Sequence, residues 1–250
     1  MGCLALKSRG SPTTVMGRFE EANEGRRYVY NLLSRLYARE VDAELLEELV
    51  RAAESGELAA RFEALSQLDE RVGRGLDLIL GYLRGAAGRD RREVLLELAA
   101  EYASLFLGLK GTPPHPSESA YMSAGHLIYQ EQRDEVLSIY RDMGVDKVES
   151  FREPEDHIAL ELSFMSYLIG RTLEEVGKGN LGEARRMMKV QREFLREHLL
   201  KWSGAFARDV ESSSEVDFYK GLGYLTDGFL SLDEASMGEL ISLLEESARG

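Results

Sequence analysis

The stretch 158–176, IALELSFMSYLIGRTLEEV, decides the fold. Ile158, Leu162, Met165, Ile169, Leu173 and Val176 recur at steps of three and four and form one apolar stripe. Leu160, Phe164 and Leu168 form a second stripe beside it. A helix that is apolar around most of its circumference belongs at the centre of a helical assembly, with neighbours on several sides. The spacing predicts this helix over 154–176. Pro154 suits the first helical position, and Glu155 and Asp156 suit the positive end of the helix dipole.

Working outward, the same periodicity predicts helices over 17–38, 42–54, 57–66, 69–86, 90–107, 127–142, 180–202, 215–229 and 232–247. Their composition is rich in Leu, Ala, Glu and Arg, all strong helix formers. No convincing run alternates apolar and polar residues with period two. The expected fold is therefore all-α, a single bundle-like domain of about ten helices. Prolines divide the chain: Pro113, Pro114 and Pro116 cluster with Gly108, Gly111 and Gly125 in a long irregular connection, 108–126. Connections of that length inside a compact domain tend to be functional. This one separates an N-terminal half, 17–107, from a C-terminal half, 127–250. Residues 1–16 read as a disordered leader or a misassigned start upstream of Met16.

Acidic residues outnumber basic ones by 44 to 31, a formal net charge of −13. That balance argues against nucleic acid or an anionic membrane as the main partner, and leaves cationic partners open. No apolar run is long enough to span a membrane, and the first fifteen residues lack the apolar core of a secretory signal. Leu6 stands where a myristoylation pattern needs Ser or Thr. The single Cys3 excludes an intramolecular disulfide framework and a cysteine-cluster metal site. A cytoplasmic globular protein is expected.

Catalytic motifs are missing: there is no phosphate-cradling glycine loop and no nucleophile elbow. Glu153, His157 and Glu161, at i, i+4 and i+8, would share a helix face and raise a helical metal-dependent enzyme as a distant alternative. The paired Glu-x-x-His motifs of di-iron bundles are absent, however. Asp156-His157 at a buried helix start has a structural reading, with Asp156 meeting free helix N–H groups and His157 hydrogen-bonded and partly buried. His115 and His126 are expected to face solvent.

Three strings carry a family resemblance: Glu101–Gly108 (EYASLFLG), Pro113–Tyr121 (PPHPSESAY) and Glu153–His157 (EPEDH). Tyr28–Tyr37, Phe194–Trp202 with its His198 and Trp202 four apart, and Phe218–Gly223 extend it over about 18–245. In order and spacing they resemble the TorD/DmsD family of cytoplasmic chaperones, which mature molybdenum-containing redox enzymes.

The resemblance implies an all-helical fold without catalytic turnover. It also implies binding of the twin-arginine leader of an oxidoreductase precursor, often with its folded body, until the molybdenum cofactor is inserted. Cofactors of its own are not expected, beyond the weak guanine-nucleotide binding reported for some relatives. The protein would be a monomer, or a dimer that exchanges halves across 108–126. Tyr102, Leu105 and Phe106 would form a groove wall. Asp156, with Glu153 and Glu118, would meet the leader's positive charge, and His157 would orient Asp156 or touch peptide backbone. Pro116, Ser119, Tyr121 and Pro154 complete the expected peptide site. Ser117 stands where several relatives carry a bulky aromatic, which predicts a shallower groove there. A sister role of the NarJ type, serving a membrane-bound molybdoenzyme without an exported leader, is the alternative.

Overall fold

In the computed structural model, residues 14–108, 114–123, 125 and 127–247 are described. Helix α1 (Val15–Ala38) leads into a run of shorter helices, α2 (Ala43–Glu54), α3 (Glu57–Leu68), α4 (Glu70–Ala86) and α5 (Arg91–Phe106). Four of these five starts are capped by a side chain. Thr14, Asp42, Asp69 and Asp90 accept hydrogen bonds from free backbone N–H groups in the first turns of α1, α2, α4 and α5. Helix α1 begins at Val15, and residues 1–13 of the expected leader lie outside the described residues.

After the irregular connection come α6 (Glu118–Met122), α7 (Glu131–Asp142), α8 (Ile158–Gly177) and α9 (Leu181–Phe194). A π-helical turn, Leu195–Leu199, runs straight into α10 (Leu200–Ser213), and α11 (Asp217–Ser247) closes the fold. The all-helical expectation is met, and the central helix is the one the sequence pointed to. Helix α8 packs along α1 on one side and α9 on another, and Leu162, Met165, Leu168 and Ile169 are fully buried. Helix α4 lies along α11, where Gly75 and Gly221 let the backbones touch: a Cβ on Gly75 would sit 2.6 Å from Leu225 N. Both pairings join an element from before the irregular connection to one from after it.

Several helix boundaries differ from the sequence expectation. Helix α7 starts four residues late because Tyr129 takes a left-handed backbone (φ 59°) and Ser123 Oγ bonds the backbone of Leu127, holding the chain in turns. The expected break between 229 and 232 is absent. Leu230 and Asp233 are both fully buried, so the inward stripe of α11 continues through a polar residue. Asp233 receives Arg26 Nε at 2.6 Å and the Tyr30 hydroxyl at 2.7 Å. Arg26 also donates to Asn23 Oδ1 and Gln191 Oε1, so this buried network ties α1 to α9 and α11. No helix among the described residues is long and apolar enough to cross a membrane.

Candidate functional site

The C-terminal ends of α1 and α5 converge on a groove of about 430 Å³. Tyr102, Phe106 and Leu107 from α5 form one wall, Ala38 to Asp42 after α1 form another, and Glu153 and His157 complete it. Tyr102 and Phe106 are one helical turn apart, so both face the same way. Their rings meet at 5.1 Å edge-on, and Phe106 continues into Tyr37 at 5.6 Å and Phe206 at 6.2 Å. The Tyr102 hydroxyl donates to Tyr37 O at 2.9 Å, pinning the end of α1 to α5.

The rim is negative. Asp42 is engaged by Arg35 at 2.7 Å and Arg39 at 3.4 Å, whereas the exposed Glu40 and Glu153 have no ion-pair partner among the described residues. Burial pushes the Tyr102 phenol up to about 12, and the nearby charges of Glu153 and Glu40 add to the shift. Two helix C-termini ending here contribute further partial negative charge. A groove with an aromatic floor, two free carboxylates and two helix C-termini is suited to a cation carried on an apolar chain, and the planar guanidinium fits best.

The groove is held from behind by a crossing of two chain segments. Ile158 N donates to Pro116 O at 2.8 Å and Glu118 N to Asp156 O at 3.0 Å, around an isolated antiparallel bridge between Ser117 and His157. These bonds draw 154–157 out of the helix, so α8 begins at Ile158 and not at Pro154. His157 is its cap, with Nδ1 accepting from Ala159 N at 3.1 Å. Burial drives the His157 imidazole down to about 3, with His115 adding to the shift, so the ring is neutral and its Nδ1 stays an acceptor.

Comparison with known proteins places this geometry. The family model described as nitrate reductase delta subunit matches residues 63–208, more than half of the chain. The chaperone protein TorD of Photobacterium profundum is 30% identical over 224 residues, 88% of this chain and 97% of that protein. TorD of Vibrio parahaemolyticus is 29% identical, covering 85% and 94%, and TorD of a Vibrio cholerae strain is 29% identical, covering 91% and 98%. The chain belongs to the TorD family of maturation chaperones. Its relatives are named chaperones, which assigns it a non-catalytic role.

The structure of this TorD-family chain distributes the expected site residues over four places. Tyr102, Phe106, Glu153 and His157 come together in the groove. Leu105 faces the core at 1% exposure. Pro116, Ser119, Pro154 and Asp156 are buried behind the groove. Asp156, expected to meet positive charge from a peptide or to serve its own helix, is fully buried and turned to α6. Its Oδ2 accepts from Ser119 N at 2.8 Å and from the Ser119 hydroxyl, so it holds the short α6. Glu118 is also buried, with Oε2 3.0 Å from His198 Nδ1. Ser117 is buried too and lies outside the groove lining.

Tyr121 lies elsewhere. It stacks on Trp202 and Phe206 and donates to Asp209 at 2.8 Å. Half-buried His115 does not simply face solvent, since burial lowers its pKa and its Nδ1 has no partner among the described residues. His126 lies outside them. The metal alternative also fails on geometry. Glu153 precedes the helix and is exposed, while Glu161 is fully buried and accepts from Trp202 Nε1 at 3.1 Å. No group of three metal-ligating side chains occurs among the described residues. Sequence reasoning missed Glu40: it ends an unremarkable helix, and only the fold brings it opposite Glu153.

Proposed function

We propose that the groove between α1 and α5 binds the twin-arginine leader of a molybdenum-cofactor oxidoreductase precursor in the cytoplasm, delaying export until the cofactor is in place. The observation that carries this reading is the pair of unpartnered carboxylates, Glu40 and Glu153, over the Tyr102–Phe106 floor. Each carboxylate can take a guanidinium bidentately, a geometry that lysine does not reproduce. The apolar stretch after the arginines would lie on the aromatic wall. The net charge of −13 speeds encounter with a basic leader.

The test is calorimetric titration of the protein with the leader peptide encoded by the neighbouring oxidoreductase gene, beside a peptide with both arginines changed to lysine. Saturable binding that weakens on the lysine swap and again in Glu153→Gln supports the reading. Equal binding of both peptides places recognition in the apolar stretch, and no binding of either overturns it. In that last case the NarJ-type role takes precedence, a reading favoured by the match to the nitrate reductase delta subunit model. Its client would be an enzyme whose N-terminal segment is not exported.

A further inference from the structure

A second groove, of about 360 Å³, lies between α7 and α9 on elements that contribute nothing to the first. Ile139, Met143, Val190 and Phe194 give it an apolar floor, and Asp142, Glu193 and Glu197 stand on its rim. Glu197 is shared with Lys201 at 2.7 Å, and Arg186 is turned to Glu183. Asp142 and Glu193 have no ion-pair partner among the described residues, and both are exposed. The free charge of the rim is therefore negative over an apolar base.

Both walls are fixed from behind. His198, at the end of the groove, is carried on the π-helical turn that interrupts α9–α10 and is anchored to buried Glu118. Single π turns of this kind occur often at functional sites. Helix α7 opposite buries Val136 and Tyr140, and Arg133 and the Tyr140 hydroxyl tie it to Glu155. A small cavity of about 190 Å³, lined by Tyr140, Phe164 and Tyr167, lies on its other flank.

We propose that this groove is a second polypeptide site, whose occupant is an amphipathic segment with apolar residues at helical spacing and arginine or lysine on its flanks. Charge complementarity selects that occupant: an apolar face fills the floor, and flanking cations meet Asp142 and Glu193. An acidic or neutral segment would leave two carboxylates partly desolvated and unpaired. The site does not depend on the leader reading, because its ligand needs no adjacent pair of arginines.

The probe is a fluorescein-labelled peptide of about 14 residues, with leucine at i, i+3, i+4 and i+7 and isolated lysines on its flanks. Its binding to the full chain is followed by fluorescence anisotropy. Asp142→Lys/Glu193→Lys should weaken binding by about tenfold. The matched reversal Glu44→Lys/Glu47→Lys, on exposed positions of α2, should leave affinity within about twofold. Val190→Gln and Met143→Gln remove floor without changing charge, and each should weaken binding by about fivefold with unchanged far-ultraviolet circular dichroism. Equal losses in the two charge-reversed proteins would reduce the binding to general electrostatics and overturn the proposal. So would full affinity in both glutamine variants.

Discussion

Replacing Asp156 separates a supporting role from a binding role, and the structure gives the size of the effect. The carboxylate is fully buried, and its Oδ2 accepts both the backbone N–H and the hydroxyl of Ser119. Hydrogen bonds to a buried charged group contribute about 1.5–3 kcal/mol each. Asp156→Ala leaves both donors of Ser119 unsatisfied and should cost about 3–5 kcal/mol. In a chain of this size 1 kcal/mol moves Tm by about 2–4 °C, so thermal melting should fall by about 10 °C or somewhat more. Asp156→Asn keeps a carbonyl acceptor and places its amide at the Oδ1 position, which has no partner among the described residues. It should cost about 1–2 kcal/mol, a few degrees. Because neither variant alters the groove lining, titration below the lowest melting temperature should find leader affinity within about twofold of the parent. Exposed Glu153→Gln should do the opposite, weakening binding with Tm unchanged. A tenfold loss of affinity in Asp156→Asn with an unmoved Tm would refute the reasoning, since the carboxylate would then have to reach the peptide.

Three further outcomes follow from buried charge. His157 is held neutral with its pKa lowered to about 3, so its stabilisation is present above the free histidine value and lost as pH falls toward 3; at pH 5 about 2 kcal/mol should already be gone. His157→Asn, which retains a capping acceptor, should flatten the acid side of a Tm-against-pH curve. Glu161 has its pKa raised by burial and then by Glu118 and Asp156, so stability is full below the ordinary glutamate range and falls as pH rises through the shifted value; Glu161→Gln should flatten the alkaline side and keep the Trp202 bond. Arg26→Met strands buried Asp233 and should cost about 3–5 kcal/mol by urea denaturation, while Arg26→Met/Asp233→Leu should recover much of the loss.

Where apolar spacing decides the structure, the sequence was readable. Helix α8 lies at the centre because both of its stripes are apolar, and α2 to α5 begin and end within two residues of the positions their spacing indicates. Reading failed where a buried polar residue interrupts a stripe. The expected break between 229 and 232 is missing, and the inward stripe runs on through Asp233, a carboxylate that only the far partner Arg26 makes acceptable inside α11. It failed again at Pro154, whose fitness for a helix start was real but was outweighed by four backbone groups pairing 154–158 with 116–118. Helix periodicity carries no information about such a crossing of distant segments.

The same limit explains why the recognisable strings overstate the contact surface. Of the expected site, Leu105, Pro116, Glu118, Ser119, Pro154 and Asp156 are buried and touch other parts of the chain. They form the frame that fixes where His157 and Glu153 stand opposite Tyr102 and Phe106. A groove that must accept a short, unstructured segment gains affinity chiefly by being formed in advance, since each wall residue still to be ordered on binding subtracts about 0.5–1.5 kcal/mol. Buried hydrogen bonds of Asp156 and Glu118 hold the frame, while the lining is ordered by its own packing, Tyr102 on Tyr37 and Phe106 against both. Glu40, which lies on the rim but outside every recognisable string, shows the converse: just past the ordered end of α1, it is placed by the fold with no motif around it.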